Sequence, residues 1–258
     1  MNTELSAVTG SFAPGLFAGR SVLVSGGSSG IGLELARGFC ALGAKVVATG
    51  SSGQKMEHDR AEPDNAGISF EQMDLRDHKG TEQLIARFDR LDILINAAGV
   101  ARPDAEFETA VFDDVMDINL HAAMRTAMAA RKQLAVVGGC IINFASMLSY
   151  LADSSVPAYC ASKTGLLGLT RALAHAFGPE GIRVNAIAPG YHKTEMTKPL
   201  WSQPRSHDVI ARHSALKRWG TTSDLVGAAV FLASPSAHFV TGVCLPVDGG
   251  YSVGATTG

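Results

Sequence analysis

Two stretches of this chain carry side chains that could do chemistry together. Tyr159 and Lys163 stand four residues apart in a pattern that predicts a helix over 157–177, so both side chains share one face. A tyrosine of ordinary pKa, about 10, is a poor base at neutral pH, and a neighbouring cation favours its phenolate. Ser146 adds a hydroxyl at the end of the apolar run Cys140-Ile141-Ile142-Asn143-Phe144. The second stretch, Ser25-Gly26-Gly27-Ser28-Ser29-Gly30-Ile31-Gly32, follows Val22-Leu23-Val24 and opens the helical pattern Ile31, Leu35, Phe39, Leu42. A backbone turning from strand into helix within so few residues needs φ values open mainly to glycine, and without Cβ atoms it can touch a ligand closely. The start of that helix leaves N–H groups unpaired at the positive end of the macrodipole, so a phosphate or pyrophosphate is the favoured ligand. No lysine stands at Leu33 or nearby to reach a β- or γ-phosphate, which argues against a nucleoside-triphosphate loop. Taken alone, the turn is a weak signal, and a tight strand-to-helix connection without a ligand is the alternative.

Apolar strands are expected at 21–25, 45–49, 68–73, 92–96, 140–145, 183–188 and 243–247, alternating with helices that include 30–42, 108–133, 157–177 and 223–233. Near-continuous apolar strands such as Ile93-Leu94-Ile95 indicate burial on both faces. The fold class is therefore α/β: a Rossmann-type, doubly wound parallel sheet of about seven strands with helices on both faces. Ligands of such a sheet collect beyond the carboxyl ends of the strands, where Ser146 and the Tyr159 helix can meet a nucleotide held by the glycine turn. Residues 1–19 read as an irregular arm and 20–258 as a single domain. The stretch 190–219 departs from the alternation, with Pro199, Pro204, Trp201 and three histidines, and reads as a binding loop or lid.

The chain has 258 residues, 46% hydrophobic and 18% charged, with a formal net charge of -2, which suits one α/β domain. Lys and Arg are scattered, so neither nucleic acid nor an anionic membrane is an expected partner. Cys40, Cys140, Cys160 and Cys244 are far apart without a CxxC pair and read as reduced, core-type residues of a cytoplasmic protein; no metal-binding motif is visible. No apolar run approaches membrane-spanning length.

The ordered set of motifs resembles the short-chain dehydrogenase/reductase family over about residues 20–252. The resemblance rests on the glycine turn, Asp74-Leu75, Asn96-Ala97-Ala98-Gly99, Asn119, Ser146, Tyr159-Cys160-Ala161-Ser162-Lys163, Pro189-Gly190 with Thr194, and Asp248-Gly249-Gly250. It implies an NAD(P)-dependent oxidoreductase that interconverts a secondary alcohol and a ketone by hydride transfer. Tyr159 would be the acid/base, and Ser146 would bond the substrate oxygen. Lys163 would bind the nicotinamide ribose and lower the tyrosine pKa, and Asn119 would join a proton relay. The cofactor would meet Ser25, Gly26, Ser28, Ser29, Gly30, Ile31 and Gly32 in the turn, and Gly50 and Ser51 after the second strand. Further contacts would come from Asp74, Leu75, Asn96, Ala97, Ala98, Gly99, Tyr159, Lys163, Pro189, Gly190 and Thr194. The sequence departs from the family pattern at Ser25, Ala97 and the short connection from Asp74 to Asn96, which implies a truncated helix beside the adenine.

Substrate contacts are expected from Ser146, Met147, Leu148, Leu151, Tyr191, Met196 and Trp201, with His192, Lys193 or Arg205 as candidate carboxylate partners if the lid folds inward. Cys160 reads as a small packed residue and His192 as a solvated loop histidine. Within the enzyme class, a 3-oxoacyl-thioester reductase and a sugar or polyol dehydrogenase are alternatives; outside it, a non-catalytic dinucleotide-binding regulator is the rival. At Gly50, where an acidic residue would hold the ribose hydroxyls of NAD, there is no carboxylate to repel a 2′-phosphate. Hydroxyls of Thr49, Ser51 and Ser52, with Lys55 nearby, tilt the expectation slightly to NADP, with NAD open. Apolar residues on several faces of 108–133 and 157–177, including Ala122, Met124, Met128, Leu166 and Leu169, lead to an expected homotetramer or dimer.

Overall fold

The computed structural model describes residues 3–254; the outermost two residues of the expected arm and the last four of the expected domain lie outside the described residues. Seven strands form one parallel sheet in the order β3-β2-β1-β4-β5-β6-β7. They are β1 Ser21–Ser25, β2 Lys45–Gly50, β3 Ile68–Gln72, β4 Ile93–Asn96, β5 Cys140–Phe144, β6 Arg183–Pro189 and β7 Cys244–Val247. The helices are α1 Thr3–Thr9, α2 Gly30–Ala41, α3 Gly53–Ala61, α4 His78–Ala86, α5 Thr109–Met116, α6 Ala122–Val137, α7 Pro157–Phe177, α8 Lys198–Trp201, α9 Pro204–His213 and α10 Val226–Ala233.

Successive residues of a strand point to opposite faces, and the two cores follow that alternation. Val22 and Val24 of β1 join Ile93, Ile95 and Ile142 on the face covered by α2 and α10. Leu23, Leu94, Ile141 and Val184 join Leu134 of α6 and Phe177 of α7 on the other. The strand order reverses beside β1, between β1 and β4, so their carboxyl ends open the crevice in which such folds bind ligands.

Three expectations change. The arm is not wholly irregular, because α1 buries Leu5 completely against the core shared with α2 and α10. The helix expected over 108–133 is divided by a π-turn at Asp117–His121, in which Ala122 N–H donates to Asp117 O. A π-turn inserts one residue and re-aims its neighbours, here turning Asn119 inward. The lid carries two helices, α8 and α9, and closes through aromatic contacts: Tyr191 lies 5.4 Å from Trp219 and 5.2 Å from Tyr251, centroid to centroid. The short connection after Asp74 does hold a truncated helix, α4, of 9 residues.

Among the described residues no helix is long and apolar enough to cross a membrane, and no group of three or more His, Cys, Asp or Glu side chains is placed to hold a metal ion. All four cysteines are free; Cys140 is buried, whereas Cys40, Cys160 and Cys244 are half-buried.

Candidate active site

The glycine turn is built as its residue types require. Gly26 has φ 77°, and a Cβ there would lie 2.6 Å from the backbone of Ala98, so this turn packs directly on the loop after β4. A Cβ at Gly32 would collide with Gly26 O. Ser29, the N-cap of α2, is extended and its side chain caps nothing, which leaves the helix start to an anion rather than to its own hydroxyl.

A single cleft runs from this turn across the carboxyl ends of the strands. Ser25, Gly26, Ser28, Ser29, Gly30, Ile31 and Gly32 line its first wall, with Gly50 and Ser51 from the end of β2. Asp74 and Leu75 follow β3, and Ala97, Ala98 and Gly99 follow β4. Ser146, Tyr159 and Lys163 stand at its far end with Pro189, Gly190, Thr194 and Met196. Residues not singled out from sequence also line it, namely Met73, Arg76, Val100, Ile118, Phe144, Ala145, Glu195 and Thr197, and so does His192, the candidate carboxylate partner.

Seven expected site residues do not line the cleft, Met147 and Leu151 among them. Asn96 is buried in a polar ladder beneath it, donating to Asn143 Oδ1 at 2.9 Å and accepting from Thr126 Oγ1 at 2.8 Å. Asn119 accepts from Val100 N–H at 2.8 Å and donates to Val100 O at 2.9 Å and to Ser162 Oγ at 3.1 Å, so its side-chain amide ties the loop after β4 to α7. Leu148 contributes its backbone N–H to Ser146 Oγ at 3.1 Å. Tyr191 belongs to the aromatic group under the lid. Trp201 donates from Nε1 to Thr194 O at 2.9 Å and thereby anchors the lid.

At the far end, burial pushes the Tyr159 phenol above its ordinary value; the Ser146 hydroxyl opposes that shift by hydrogen bonding, and the Glu106 charge adds to it. Lys163 is buried, donates from Nζ to Phe144 O at 2.7 Å, and is pushed down to about 8 by desolvation. Its Nζ lies 5.6 Å from the centre of the Tyr159 ring. Both groups are therefore driven toward their neutral forms, and the expected lowering of the phenol by Lys163 is not the dominant effect in this arrangement. Asp74 lines the cleft, and its carboxylate is engaged by Arg76 through bonds of 3.0 and 2.8 Å, which hold it below the usual carboxylate range.

His192 is not solvated. It is 4% exposed, its Nδ1 lies 3.1 Å from Gly190 O, and burial lowers its pKa. The ring fits because residue 220 is glycine; a Cβ there would approach Nε2 to 2.6 Å. No local signal marks this, since the partner comes from the far end of the lid.

Residues 26–252 match the family model described as enoyl-(acyl carrier protein) reductase. The chain is 36% identical to gluconate 5-dehydrogenase of Gluconobacter oxydans over 93% of its length and 98% of that protein's. It is 38% identical to 2-dehydro-3-deoxy-D-gluconate 5-dehydrogenase of Escherichia coli over 90% of its length and 95% of that protein's. A crystal structure of gluconate 5-dehydrogenase from Burkholderia cenocepacia in complex with NADP and tartrate superposes with a TM-score of 0.86 at 33% identity, covering 93% of this chain and 97% of that one. The chain belongs to the short-chain dehydrogenase/reductase family and is an NAD(P)-dependent oxidoreductase acting on CH–OH groups.

Proposed function

We propose that this protein is an NADP-preferring dehydrogenase of a sugar acid or polyol, interconverting one secondary hydroxyl and its ketone with Tyr159 as the proton donor and acceptor. The observation that carries the reading is that Tyr159, Ser146 and Lys163 share one end of a cleft whose other end is the glycine turn. The relatives named for gluconate and 2-dehydro-3-deoxy-D-gluconate support the substrate class.

The cradle fits a dinucleotide. The uncapped start of α2 suits the pyrophosphate, and Gly26 and Gly32 have no room for side chains. Gly50 and Ser51 flank the position of the adenosine ribose without a carboxylate; a Cβ at Gly50 would crowd Ser28 Oγ and would lie 2.7 Å from Met56 Cε. Lys55 does not line the cleft, whereas Arg76 does. Bound nicotinamide supplies or accepts the hydride. In ketone reduction negative charge grows on the substrate oxygen; Ser146 donates a hydrogen bond to it, and Tyr159 transfers its phenolic proton. Burial keeps that phenol protonated, which favours the reducing direction. Lys163, when charged, stabilises the phenolate needed for oxidation and offers a donor to a ribose hydroxyl. Asn119 acts by holding Val100 at the cleft wall.

Assembly as a homotetramer or dimer is part of the same reading. Ala122 and Leu166 are buried within the protomer and leave no face for a partner, but Met124, Met128 and Val136 of α6 are 40%, 46% and 81% exposed. Phe239, Val243 and Leu245 are also exposed beside the unpaired edge of β7. Sedimentation showing only monomer at micromolar concentration would sink the assembly.

The substrate test is kcat/KM by nicotinamide absorbance against gluconate, 2-dehydro-3-deoxy-gluconate, threitol, galactitol and a 3-oxoacyl thioester, each with both cofactors. Sugar acids or polyols should exceed the thioester by more than tenfold; the opposite order overturns the substrate class.

A further inference from the structure

We propose that Glu106 is a positioning residue for Tyr159, tying it, together with the Asn119–Ser162 pair, to the 97–106 loop beside the cleft. The proposal rests on the reading of Tyr159 as the proton donor.

Glu106 is a carboxylate only 1% exposed. One oxygen accepts the backbone N–H of Tyr159 at 2.8 Å and the other accepts that of Arg102 at 2.8 Å. Tyr159 is the third residue of α7, so its N–H is one that the helix itself leaves unpaired. The N-cap Val156 has no side-chain acceptor to offer, and the carboxylate arrives from a loop instead. A buried carboxylate is unfavourable unless its oxygens are bonded; here both are, and the positive end of a helix of 21 residues favours the charge.

The carbonyl side of Tyr159 is held by a second chain of bonds. Ser162 Oγ donates to Tyr159 O at 2.8 Å and accepts from Asn119 Nδ2 at 3.1 Å, and Asn119 closes on both peptide groups of Val100. A third tether, Asp104 N–H to Ser155 O at 2.8 Å, fixes the middle of the loop to the residues before α7. Ala97 to Val100 line the cleft, so the loop that would face the cofactor and the residue that would move the proton are one rigid unit. Glu106 acts through that geometry and through charge. The charged groups near Tyr159 are Lys163, whose Nζ lies 5.6 Å from the ring centre, and Glu106, whose carboxylate disfavours the phenolate.

Two variants separate reach from charge. Glu106→Gln keeps the length and removes the charge; Glu106→Asp keeps the charge and shortens the reach. The readouts are kcat and KM with NADP and D-gluconate, and ultraviolet difference titration of the phenol against Tyr159→Phe. Glu106→Gln should raise the phenol's ionisation constant about twofold or more. Misplacing a reacting group by an ångström can lower turnover about 100-fold, so both variants should lose roughly ten- to a hundredfold in kcat with KM for NADP within about threefold. In Glu106→Asp the titration midpoint should stay at the wild-type value. Wild-type kcat and midpoint in both variants, or a fall in Tm alone, overturns the proposal. If the wild type does not turn over gluconate, the substrate reading fails while the titration still decides the role of Glu106. If neither variant folds, Ser162→Ala decides: it cuts the carbonyl tether, and an unchanged midpoint with NADPH binding and kcat/KM within twofold of wild type overturns the proposal.

Discussion

Gly50→Asp should reverse the cofactor preference, and the size of the effect can be worked from the cleft. Gly50 ends β2 and lines the cleft with Ser28 and Ser51, where no carboxylate stands. An aspartate there brings a charge to about 5 Å from a 2′-phosphate, and one pair of unit charges at that separation repels by about 3 kcal/mol at an effective dielectric constant of about 20. Screening at physiological ionic strength leaves about 2 kcal/mol, or roughly thirtyfold in kcat/KM for NADP. The same carboxylate accepts bonds from the ribose hydroxyls of NAD, so NAD should gain. A steric component must be separated from this, because a Cβ at residue 50 would lie 2.8 Å from Ser28 Cβ and 2.7 Å from Met56 Cε. Met56 Cε is the far end of a flexible side chain and can move away, whereas Ser28 Cβ is fixed by its backbone, so relief there needs a shift of the chain itself. Gly50→Ala carries the Cβ without the charge. The assay is the ratio of kcat/KM for NADP over NAD in wild type, Gly50→Ala and Gly50→Asp at fixed substrate. Gly50→Asp should lower the ratio about thirtyfold more than Gly50→Ala does; equal effects of the two variants would refute the electrostatic reasoning.

Other consequences follow from single residues. Asp92, bonded by Arg20, Arg90 and Ser21 N–H, is held down at about 2 against an ordinary 3.8. A depressed carboxylate stabilises the fold above its unfolded pKa, so Asp92→Asn should lose roughly 1–2 kcal/mol at neutral pH in urea unfolding. That gap should narrow as the pH falls from 3.8 toward about 2. Lys163, at about 8, loses its proton as the pH rises through that value, so the KM for cofactor should rise over that window in wild type and be flat in Lys163→Met. Gly26→Ala places a Cβ 2.6 Å from Ala98 backbone at φ 77°, which cannot be relieved by a rotamer change; cofactor KM should rise about tenfold or more and stability should fall by roughly 1–3 kcal/mol.

The sheet was legible because the central strands β1, β4, β5 and β6 are buried on both faces: runs such as Ile93-Leu94-Ile95 admit few other readings, and every strand begins and ends within a residue of its expected bounds. Tyr159, Lys163 and Ser146 were legible because a helix spacing and a strand end bring them to the same end of the sheet. What escaped depends on partners distant in the chain. Nothing near Thr3–Thr9 tells of the pocket that takes Leu5, since α2 and α10 form it. The burial of His192 depends on the bare backbone at Gly220, and the use of Glu106 depends on an N–H of α7. The π-turn at Asp117–His121 has no hydrophobic signature, because the apolar period continues through it. Asp74 matched a family position, yet its carboxylate is bonded two residues away, to Arg76.

The most direct test of the proposed chemistry is kcat/KM of Tyr159→Phe with a confirmed substrate, measured beside NADPH affinity by fluorescence. The substitution removes one hydroxyl from a ring whose packing remains, so NADPH should bind within about threefold of wild type while kcat/KM falls by about 10² to 10⁴, the range for a general acid–base group. Retention of more than about a tenth of wild-type kcat/KM, with cofactor affinity intact, would contradict the assignment of the proton to Tyr159.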